Sequence, residues 1–491
     1  MSPEGWTYGV HTIALQEQVA RGIGNLPVLT GRRNHPCLIG RETHGMPVNA
    51  DQAICAAGAY CEYTGRRPKQ AAPQDDWDRY EKHGLAVATG AVPRECDYYH
   101  QRREAFAAKY RITNYSLFLA DDSLVEDSNT PVLLADEAHN LEDAICNAAE
   151  FVIYAPSLRR FGIDMPDCET LAQWIDWARE TRGKLPPVST DRLRERPDWG
   201  LITVTKEIST LAEMNEFDAS EWVVVRDGER VHFQPIWGRQ FVGPKLLRQG
   251  YVEDGAGINK VIFTSATLMG AEYIADLLGL HPSDWAYLDL PSTFPPEHRP
   301  INYAPVVQMN RERMSTAEGR APMQKAIDGL IGYYISTGRG AGIVHAVSNK
   351  YRDLVLTESR FRDILTIERE VHEARVRAGE ASVLVSANSS EGYDGVDDLC
   401  RFVVMPKVPF PNLGDPRIAA RREADPRSYD HKALVAVVQG AGRGVRHATD
   451  TSDTWILDRA WAQLYKRRRD WLPTSFTDAY HDHTSLPWEN K

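Results

Sequence analysis

Two adjacent carboxylates, Asp136 and Glu137, directly follow the apolar run PVLLA, which is typical of a buried β-strand. At the carboxyl end of a parallel strand, such a pair can face a bound nucleotide. One carboxylate can hold Mg²⁺ through water, and the other can accept a proton from an attacking water. The alternative is an acidic helix N-terminus, which the helix dipole favours. The strand in front of the pair favours the chemical interpretation.

Hydroxyl groups close a second apolar strand at Thr264, Ser265 and Thr267. They could relay between a nucleotide and a nucleic acid, or they could cap the next helix, and taken alone the cap is favoured. The segment 390–395, Ser-Glu-Gly-Tyr-Asp-Gly, follows the strand SVLVSAN. It could be a polar loop lining a crevice or an ordinary glycine turn, and the residues leave both open.

The segment 439–446 reads Gln-Gly-Ala-Gly-Arg-Gly-Val-Arg. Two arginines three apart on a helix lie on one face, where they can clamp the charge that develops on a γ-phosphate during hydrolysis. The alternative is a solvated basic helix face. The three glycines weigh against it, because glycine destabilises a plain surface helix.

Four of the seven cysteines cluster at Cys37, Cys55, Cys61 and Cys96, with 17, 5 and 34 intervening residues. This spacing fits neither a tight zinc ribbon nor a bacterial ferredoxin run. The segment around them is poor in apolar residues, which weighs against unrelated buried thiols. Four thiolates can hold a cubane cluster or zinc, and either would replace the core that the segment lacks.

The same segment, 31–111, is locally basic although the chain as a whole is acidic. The aromatic rings of Tyr98, Tyr99 and Tyr115 lie in or just after it and could stack on nucleic-acid bases; the alternative is a solvated basic surface. Its basic residues include Arg32, Arg33, Arg66, Arg67, Lys69, Arg102, Arg103, Lys109 and Arg111.

Composition limits the class of protein to which the chain can belong. Its 491 residues, at roughly 100–200 per domain, predict about three domains. A net charge of −11 argues weakly against a protein whose surface is covered by nucleic acid, but it does not exclude a local groove that binds nucleic acid. No run of apolar residues is long enough to span a membrane, and the N-terminus is not that of a signal peptide. These features predict a soluble intracellular protein.

Strands alternate with helical patterns in both halves of the chain, which predicts two α/β bodies with parallel sheets. The proline-rich stretch PSTFPPEHRP separates the two bodies. Two insertions interrupt the first body. The second insertion has mainly helical patterns over 156–220, followed by a β-hairpin that turns at Asp227-Gly228.

Taken in order, these segments resemble the iron–sulfur superfamily 2 DNA helicases, the XPD-like and DinG-like group. The segments that carry the resemblance are HTIALQEQ at 11–18, the four cysteines, Thr113-Asn114-Tyr115, DEAH at 136–139, TSATL at 264–268, PSTFP at 291–295, EGYD at 391–394, KVPFPNLGDP at 407–416 and QGAGRGVR at 439–446. Together they span nearly the whole chain.

The resemblance implies an α/β fold with two RecA-like P-loop NTPase motor domains. An Fe–S cluster insertion and a helical arch-like insertion, short for the family, would both interrupt the first motor domain. The expected boundaries are 1–30, 112–155 and 241–292 for the first motor domain, 31–111 for the cluster insertion, 156–240 for the arch-like insertion and 298–491 for the second motor domain.

The activity implied is that of an ATP-dependent DNA helicase or translocase with 5′→3′ polarity, hydrolysing ATP between the motor domains. Single-stranded or forked DNA is the expected partner, [4Fe–4S] and Mg²⁺ are the expected cofactors, and ATP is the substrate. The expected location is cytoplasmic, at the nucleoid if the source is bacterial or phage, with no membrane association.

The resemblance also assigns roles to residues by position. Asp136 would hold Mg²⁺, Glu137 would orient the attacking water, Gln439 would contact the nucleotide, and Arg443 and Arg446 would be arginine fingers. Glu391, Gly392 and Asp394 would link nucleotide to DNA, and His139, Thr264, Ser265 and Thr267 would take part in this coupling. Thr12, Tyr98, Tyr99, Asn114 and Tyr115 would contact DNA, and Cys37, Cys55, Cys61 and Cys96 would bind the cluster.

Besides the short arch-like insertion, the sequence departs from the family because it contains no phosphate-binding GxxxxGK[ST] loop; Gly183-Lys184 is its only Gly-Lys pair. We expect the loop to be lost by truncation or start-site choice, or to come from another polypeptide. The first sheet would then expose apolar edges beside 7–15 and 131–135. Alternatives are a non-hydrolysing single-stranded DNA-binding module and one half of a split helicase. The retained Glu137, Arg443 and Arg446 favour the enzyme.

Overall fold

A computed structural model describes residues 5–24, 26–38, 48–51, 54–57, 96–121, 124, 130–187, 198–214, 219–247, 258–387 and 397–489. The chain forms two compact units. The first comprises Met1–Ser265 and Leu277–Gly279, and the second comprises Ala266–Asp276 and Leu280–Lys491. The finer domain boundaries expected from the sequence stay predictions.

The first unit contains eight described strands, which form two sheets. They are β1 (Trp6–Val10), β2 (Val28–Leu29), β3 (Tyr110–Asn114), β4 (Val132–Asp136), β5 (Phe151–Tyr154), β6 (Trp222–Asp227), β7 (Arg230–Pro235) and β8 (Lys260–Thr264). Five of them form a parallel sheet in the order β2-β3-β1-β4-β8. Residues 132–135 of the apolar run PVLLA lie in β4, which is paired on both sides, as the buried character of the run predicts.

The edges of this sheet differ from expectation. We expected apolar edges beside 7–15 and 131–135, but β1 is paired with β3 and β4, and β4 is paired with β1 and β8. That expectation was wrong. Among the described strands, β8 has one neighbour only; none of its five residues is buried, and Ile262 is 51% exposed. The apolar edge therefore lies on β8.

Helices and a small antiparallel sheet make up the rest of the first unit. The helices are α1 (Ile13–Ile23), α2 (Asp97–Ala107), α3 (Tyr115–Ala120), α4 (Leu141–Ala149), α5 (Ala155–Arg159), α6 (Leu171–Arg182), α7 (Trp199–Ala212) and α8 (Arg239–Phe241). The antiparallel sheet has the order β5-β7-β6. The predicted hairpin is confirmed, and Gly228 takes a φ of 55° in its turn, a conformation that favours glycine.

The second unit is built on a seven-stranded parallel sheet. Its strands are β9 (Ile301–Val307), β10 (Ala341–His345), β11 (Leu365–Thr366), β12 (Ser382–Ser386), β13 (Phe402–Met405), β14 (Asp453–Asp458) and β15 (Tyr480–Asp482), in the order β11-β12-β10-β13-β14-β9-β15. The sequence predicted β10, β12, β13 and β14, which are buried and apolar. It did not predict β9, β11 and β15, of which β11 and β15 are too short to carry a periodic signal.

Helices of the second unit connect the strands of its sheet. They are α9 (Ala271–Leu278), α10 (Arg311–Ser315), α11 (Ala317–Ser336), α12 (Asn349–Glu358), α13 (Arg369–Arg377), α14 (Pro416–Ala424), α15 (Arg427–Ala441), α16 (Ala460–Arg468) and α17 (Thr474–Thr477), and residues 277–278 of α9 fall in the first unit. None of the described helices is both long and apolar enough to cross a membrane.

The helix predicted through the two arginines ends before them. α15 stops at Ala441, with Gly442 as its C-cap, so Arg443 and Arg446 do not share a helix face and that prediction was wrong. Gly442 has a φ of −80°, a conformation open to any residue, so an alanine there should not strain the backbone. Gly444 is needed for space, since a Cβ there would lie 2.0 Å from Ser452 Oγ and 2.9 Å from the Cys400 carbonyl oxygen.

Gly444→Ala should destabilise the second unit by about 1–3 kcal/mol, the usual range for overpacking, because Ser452 and the Cys400 backbone would have to move. Gly442→Ala is the matched control: its Cβ would meet nothing closer than 3.8 Å, so we expect a change within about 0.5 kcal/mol. Chemical unfolding of both variants measures the difference. Equal stability of the two variants would contradict this packing account.

Candidate functional site

The carboxylate of Asp136 lies at the carboxyl end of β4 and accepts three hydrogen bonds. Thr264 Oγ1 donates to Oδ1 over 3.1 Å, and the backbone N–H of Glu137 donates to the same oxygen over 2.9 Å. The hydroxyl of Tyr8, on the neighbouring strand β1, donates to Oδ2 over 3.1 Å. Three chain segments thus hold one carboxylate, because parallel strands end at the same edge of the sheet.

The tyrosine at position 8 was not predicted from the sequence. Burial and the nearby Asp136 carboxylate raise the pKa of Tyr8 to about 12, so its hydroxyl stays protonated and keeps donating at neutral pH. Tyr8 pairs in register with Leu134, two residues before Asp136. Only this register brings the two side chains together, and the spacing of the residues in the sequence does not reveal it.

Glu137, the candidate for orienting water, is held by two side chains. Its Oε2 accepts a hydrogen bond from Ser265 Oγ over 3.3 Å and lies 3.3 Å from Nδ1 of His139. Ser265 Oγ and His139 Nδ1 are 2.8 Å apart, which completes a triangle of contacts. The Glu137 side chain is 43% exposed, so solvent can reach it. The arrangement suits a carboxylate that must contact water in a fixed position.

The structure therefore brings together five of the residues singled out from the sequence, namely Asp136, Glu137, His139, Thr264 and Ser265. Thr267 is buried in the second unit. Glu391, Gly392 and Asp394 lie outside the described residues.

The remaining candidates for phosphate chemistry belong to the second unit. Gln439 is half-buried near the end of α15, and Arg446 is exposed, with its backbone N–H donating to Asp450 over 2.8 Å. Arg443 is only 8% exposed. The two arginines therefore differ sharply in their access to solvent.

The residues predicted to contact DNA differ in their exposure to solvent. Thr12 is exposed and caps α1, with its Oγ1 accepting from the Leu15 N–H over 3.2 Å. Asn114 is buried and caps α3 in the same way.

Two of the three tyrosines do not offer the exposed rings that base stacking needs. Tyr98 is 3% exposed, and Tyr115, at 1%, donates its hydroxyl hydrogen bond to the carbonyl oxygen of Asp136. Tyr99 is half-buried, and its hydroxyl accepts from Arg32 over 3.1 Å. Burial of Tyr98 and Tyr115 is incompatible with stacking on bases in this conformation, because their ring faces are packed inside the protein.

Three of the predicted cluster ligands, Cys37, Cys55 and Cys96, are described, and Cys61 is not. Arg32 Nη1 lies 3.2 Å from Cys55 Sγ, and Cys96 occupies the N-cap of α2. A guanidinium and a helix N-terminus both favour a thiolate, which is the form that binds metal. Within the described ranges, no three or more His, Cys, Asp or Glu side chains form a group that could hold a metal ion.

Segments of both units are similar to known protein families. Residues 49–158 match the model of the DEAD_2 family, and residues 344–478 match that of the helicase C-terminal domain family. Over 131 residues the chain is 28% identical to ATP-dependent DNA helicase CHL1 of Saccharomyces cerevisiae (strain YJM789). This aligned stretch is 22% of this chain and 15% of that protein. The CHL1 helicase of Vanderwaltozyma polyspora is 28% identical over 148 residues, or 26% of this chain and 18% of that protein.

The fold is similar to that of a solved XPD helicase, with a TM-score of 0.53 and 16% identity over 98% of this chain and 92% of that chain. The fold class predicted from the sequence, α/β with two RecA-like domains, is thereby confirmed. The matched stretches span less than a fifth of the length of each curated relative. The chain is thus similar in sequence to the DEAD_2 and helicase C-terminal domain families, and in fold to an XPD helicase.

Proposed function

We propose that this chain is the motor of an ATP-dependent DNA helicase or translocase that moves 5′→3′ on single-stranded or forked DNA inside the cell. The observation that carries the proposal is the network around Asp136 and Glu137, two carboxylates held in different ways at one sheet edge. Asp136 accepts hydrogen bonds on both oxygens, whereas Glu137 is partly open to solvent.

The two carboxylates have separate roles in this proposal. Asp136 would hold Mg²⁺ through water, and the ion would neutralise charge on the phosphates of ATP. Glu137 would orient the attacking water, with Ser265 and His139 fixing the direction of its carboxylate. Because Ser265 also contacts His139, a shift of either side chain would move Glu137. This is how the three residues would couple hydrolysis to movement.

Other residues keep the roles that the family resemblance assigns to them. Gln439 would contact the nucleotide, Arg443 and Arg446 would be arginine fingers, and Glu391, Gly392 and Asp394 would link nucleotide to DNA. Thr12 would contact a DNA phosphate. Its exposed position at the N-terminus of α1 supports this role, since helix N-termini attract anions.

The phosphate-binding loop is the missing part of this site. The sequence contains no GxxxxGK[ST], and β8 presents an apolar edge that sheets of this kind normally cover. A further parallel strand on β8 would end beside Thr264 and thus close to Asp136. These features support the proposal that a strand, loop and helix, from outside residues 1–491 or from a partner polypeptide, supply the phosphate cradle.

Residues 1–491 alone should hydrolyse ATP negligibly, because backbone N–H groups and a lysine of the missing loop would bind the phosphates. Adding a strand–GxxxxGK[ST]–helix segment, fused or in trans, should produce DNA-stimulated ATPase activity. Glu137→Gln in the completed protein should then lower the turnover about 10²–10⁴-fold, the usual contribution of a general base. Phosphate release measured with and without single-stranded DNA tests each step.

Glu180→Gln, at an exposed position on α6, is the control and should leave the turnover unchanged. Robust DNA-stimulated hydrolysis by residues 1–491 alone would contradict our account of the nucleotide site. A completed protein that binds DNA but never hydrolyses ATP would instead identify a non-hydrolysing DNA-binding module, the function that the missing loop otherwise favours.

We further propose that Cys37, Cys55, Cys61 and Cys96 bind a [4Fe–4S] cluster. The thiolate-favouring surroundings of Cys55 and Cys96 support this assignment. A second support is the small apolar core here: the described buried cluster consists of Ala50, Cys96 and Tyr98, with Tyr99 packed against it. Four bonds to a cluster would replace the missing apolar contacts, because metal binding contributes directly to folding.

Anaerobically purified protein should be brown and contain about four iron atoms per chain, as Cys₄ ligation of [4Fe–4S] requires. Cys55→Ser and Cys96→Ser should each lower the iron content, and Cys168→Ser, in the second insertion, should not. Iron analysis and the visible absorption spectrum provide the measurements. Colourless protein carrying one zinc per chain would show that the assignment is wrong.

A further inference from the structure

Two histidines lie side by side at β15, the last strand of the second unit's sheet. They are His481 and His483, and side chains two residues apart on a strand point to the same side of the sheet. The extended backbone continues through His483, whose N–H donates to the carbonyl oxygen of Tyr303 on β9 over 2.8 Å. The centroids of the two imidazole rings are 6.4 Å apart. The rings are therefore close enough to serve one ligand together.

The ring of His483 is held in place by two neighbours from the adjacent strands. Its Nε2 lies 2.7 Å from Oδ1 of Asn302 on β9, and its centroid is 5.5 Å from the ring of Trp455 on β14. Both neighbours are buried. Because an amide oxygen only accepts hydrogen bonds, Nε2 carries the ring's proton and Nδ1 carries the lone pair. Metal-binding histidines are usually oriented in this way, with the second ring nitrogen donating to an oxygen.

The geometry of the pair suits a shared metal ion. An ion about 2.1 Å from a ring nitrogen lies about 3.2 Å from the ring centroid, so two rings bound tetrahedrally have centroids about 5 Å apart. The observed separation is slightly longer, and His481 is exposed, so a rotation of its side chain closes the difference. Asp482, between the two histidines, points to the opposite side and adds a negative charge that attracts a cation.

We propose that His481 and His483 bind a divalent transition-metal ion, with water completing its coordination. Imidazole nitrogen suits Zn²⁺, Ni²⁺ and Cu²⁺, whereas Mg²⁺ and Ca²⁺ prefer oxygen ligands. The site shares no ligand with Asp136 or with the four clustered cysteines, and it does not rest on the function proposed above. Because the two rings come together only when β15 is formed, a bound ion stabilises the folded second unit.

His481→Asn tests the site in the full chain, because His481 is exposed and its replacement should not disturb folding. Ni²⁺ is the probe, and titration calorimetry at pH 8, where histidine is neutral and able to bind metal, measures its uptake. The variant should bind Ni²⁺ at this site at least about tenfold more weakly than the wild type. Even the loss of a ligand's hydrogen-bond partner commonly costs about 10–100-fold in metal affinity.

His281→Asn is the matched control, because His281 is also an exposed histidine of the second unit, and its ring contacts Ser283. We expect this control to bind Ni²⁺ as the wild type does. Ni²⁺ held by other groups, including the cysteines, contributes equally to all three proteins and cancels in the comparison.

Unfolding temperatures provide a second measurement. Ni²⁺ should raise the unfolding temperature of the wild type and of His281→Asn by more than that of His481→Asn, and the values without metal report on folding. A folded His481→Asn variant that matches the wild type in Ni²⁺ uptake and in this temperature shift would overturn the proposal. Equal losses of Ni²⁺ binding in His481→Asn and His281→Asn would overturn it as well, since they would show that no particular pair of rings forms the site.

Discussion

The carboxylate of Asp136 is the point on which the first unit's site depends. Hydrogen bonds from β1, from the residue after β4 and from the end of β8 converge on its two oxygens. Removing that acceptor would leave three donors to be satisfied at once, and networks of this kind lose more than the sum of their pairs. Asp136 thus connects three chain segments through hydrogen bonds and is also a candidate metal ligand. Substituting Asp136 would disturb the geometry of the site as well as its chemistry. A substitution of Glu137 is therefore the better test of the chemistry alone.

Chemistry at strand ends was predictable from the sequence for a physical reason. A buried parallel strand has a recognisable apolar pattern, and polar residues directly after it must lie at the sheet edge. This reasoning singled out Asp136 and Glu137. For Thr264 and Ser265 it favoured a helix cap, and only the family resemblance gave them a coupling role, yet the structure has them in contact with the two carboxylates. The same reasoning did not identify Tyr8, because the contact of Tyr8 with Asp136 depends on the register of β1 against β4.

Aromatic residues near basic ones were harder to interpret. Tyr115 follows a basic segment and looked suited to stacking on bases, yet its ring is in the core. Local composition does not distinguish an exposed aromatic ring from one that the next strand covers. The same limit applies to Gly444, whose need for space arises from Ser452 and the Cys400 backbone, and not from a feature of the neighbouring sequence.

Among the described residues, two that are not glycine adopt a positive φ: Glu137 at 50° and Val347 at 64°. Glu137 lies in the network around Asp136, and Val347 lies in the turn that follows β10 in the second unit. Such conformations cost about 1–3 kcal/mol each and persist only where the surroundings enforce them. Both turns are therefore places where the backbone gains by relaxing, so local opening should begin there in the absence of ligand. Amide hydrogen exchange at these two turns would then act as an internal reporter of occupancy, slowing only where a ligand holds the strained backbone in place.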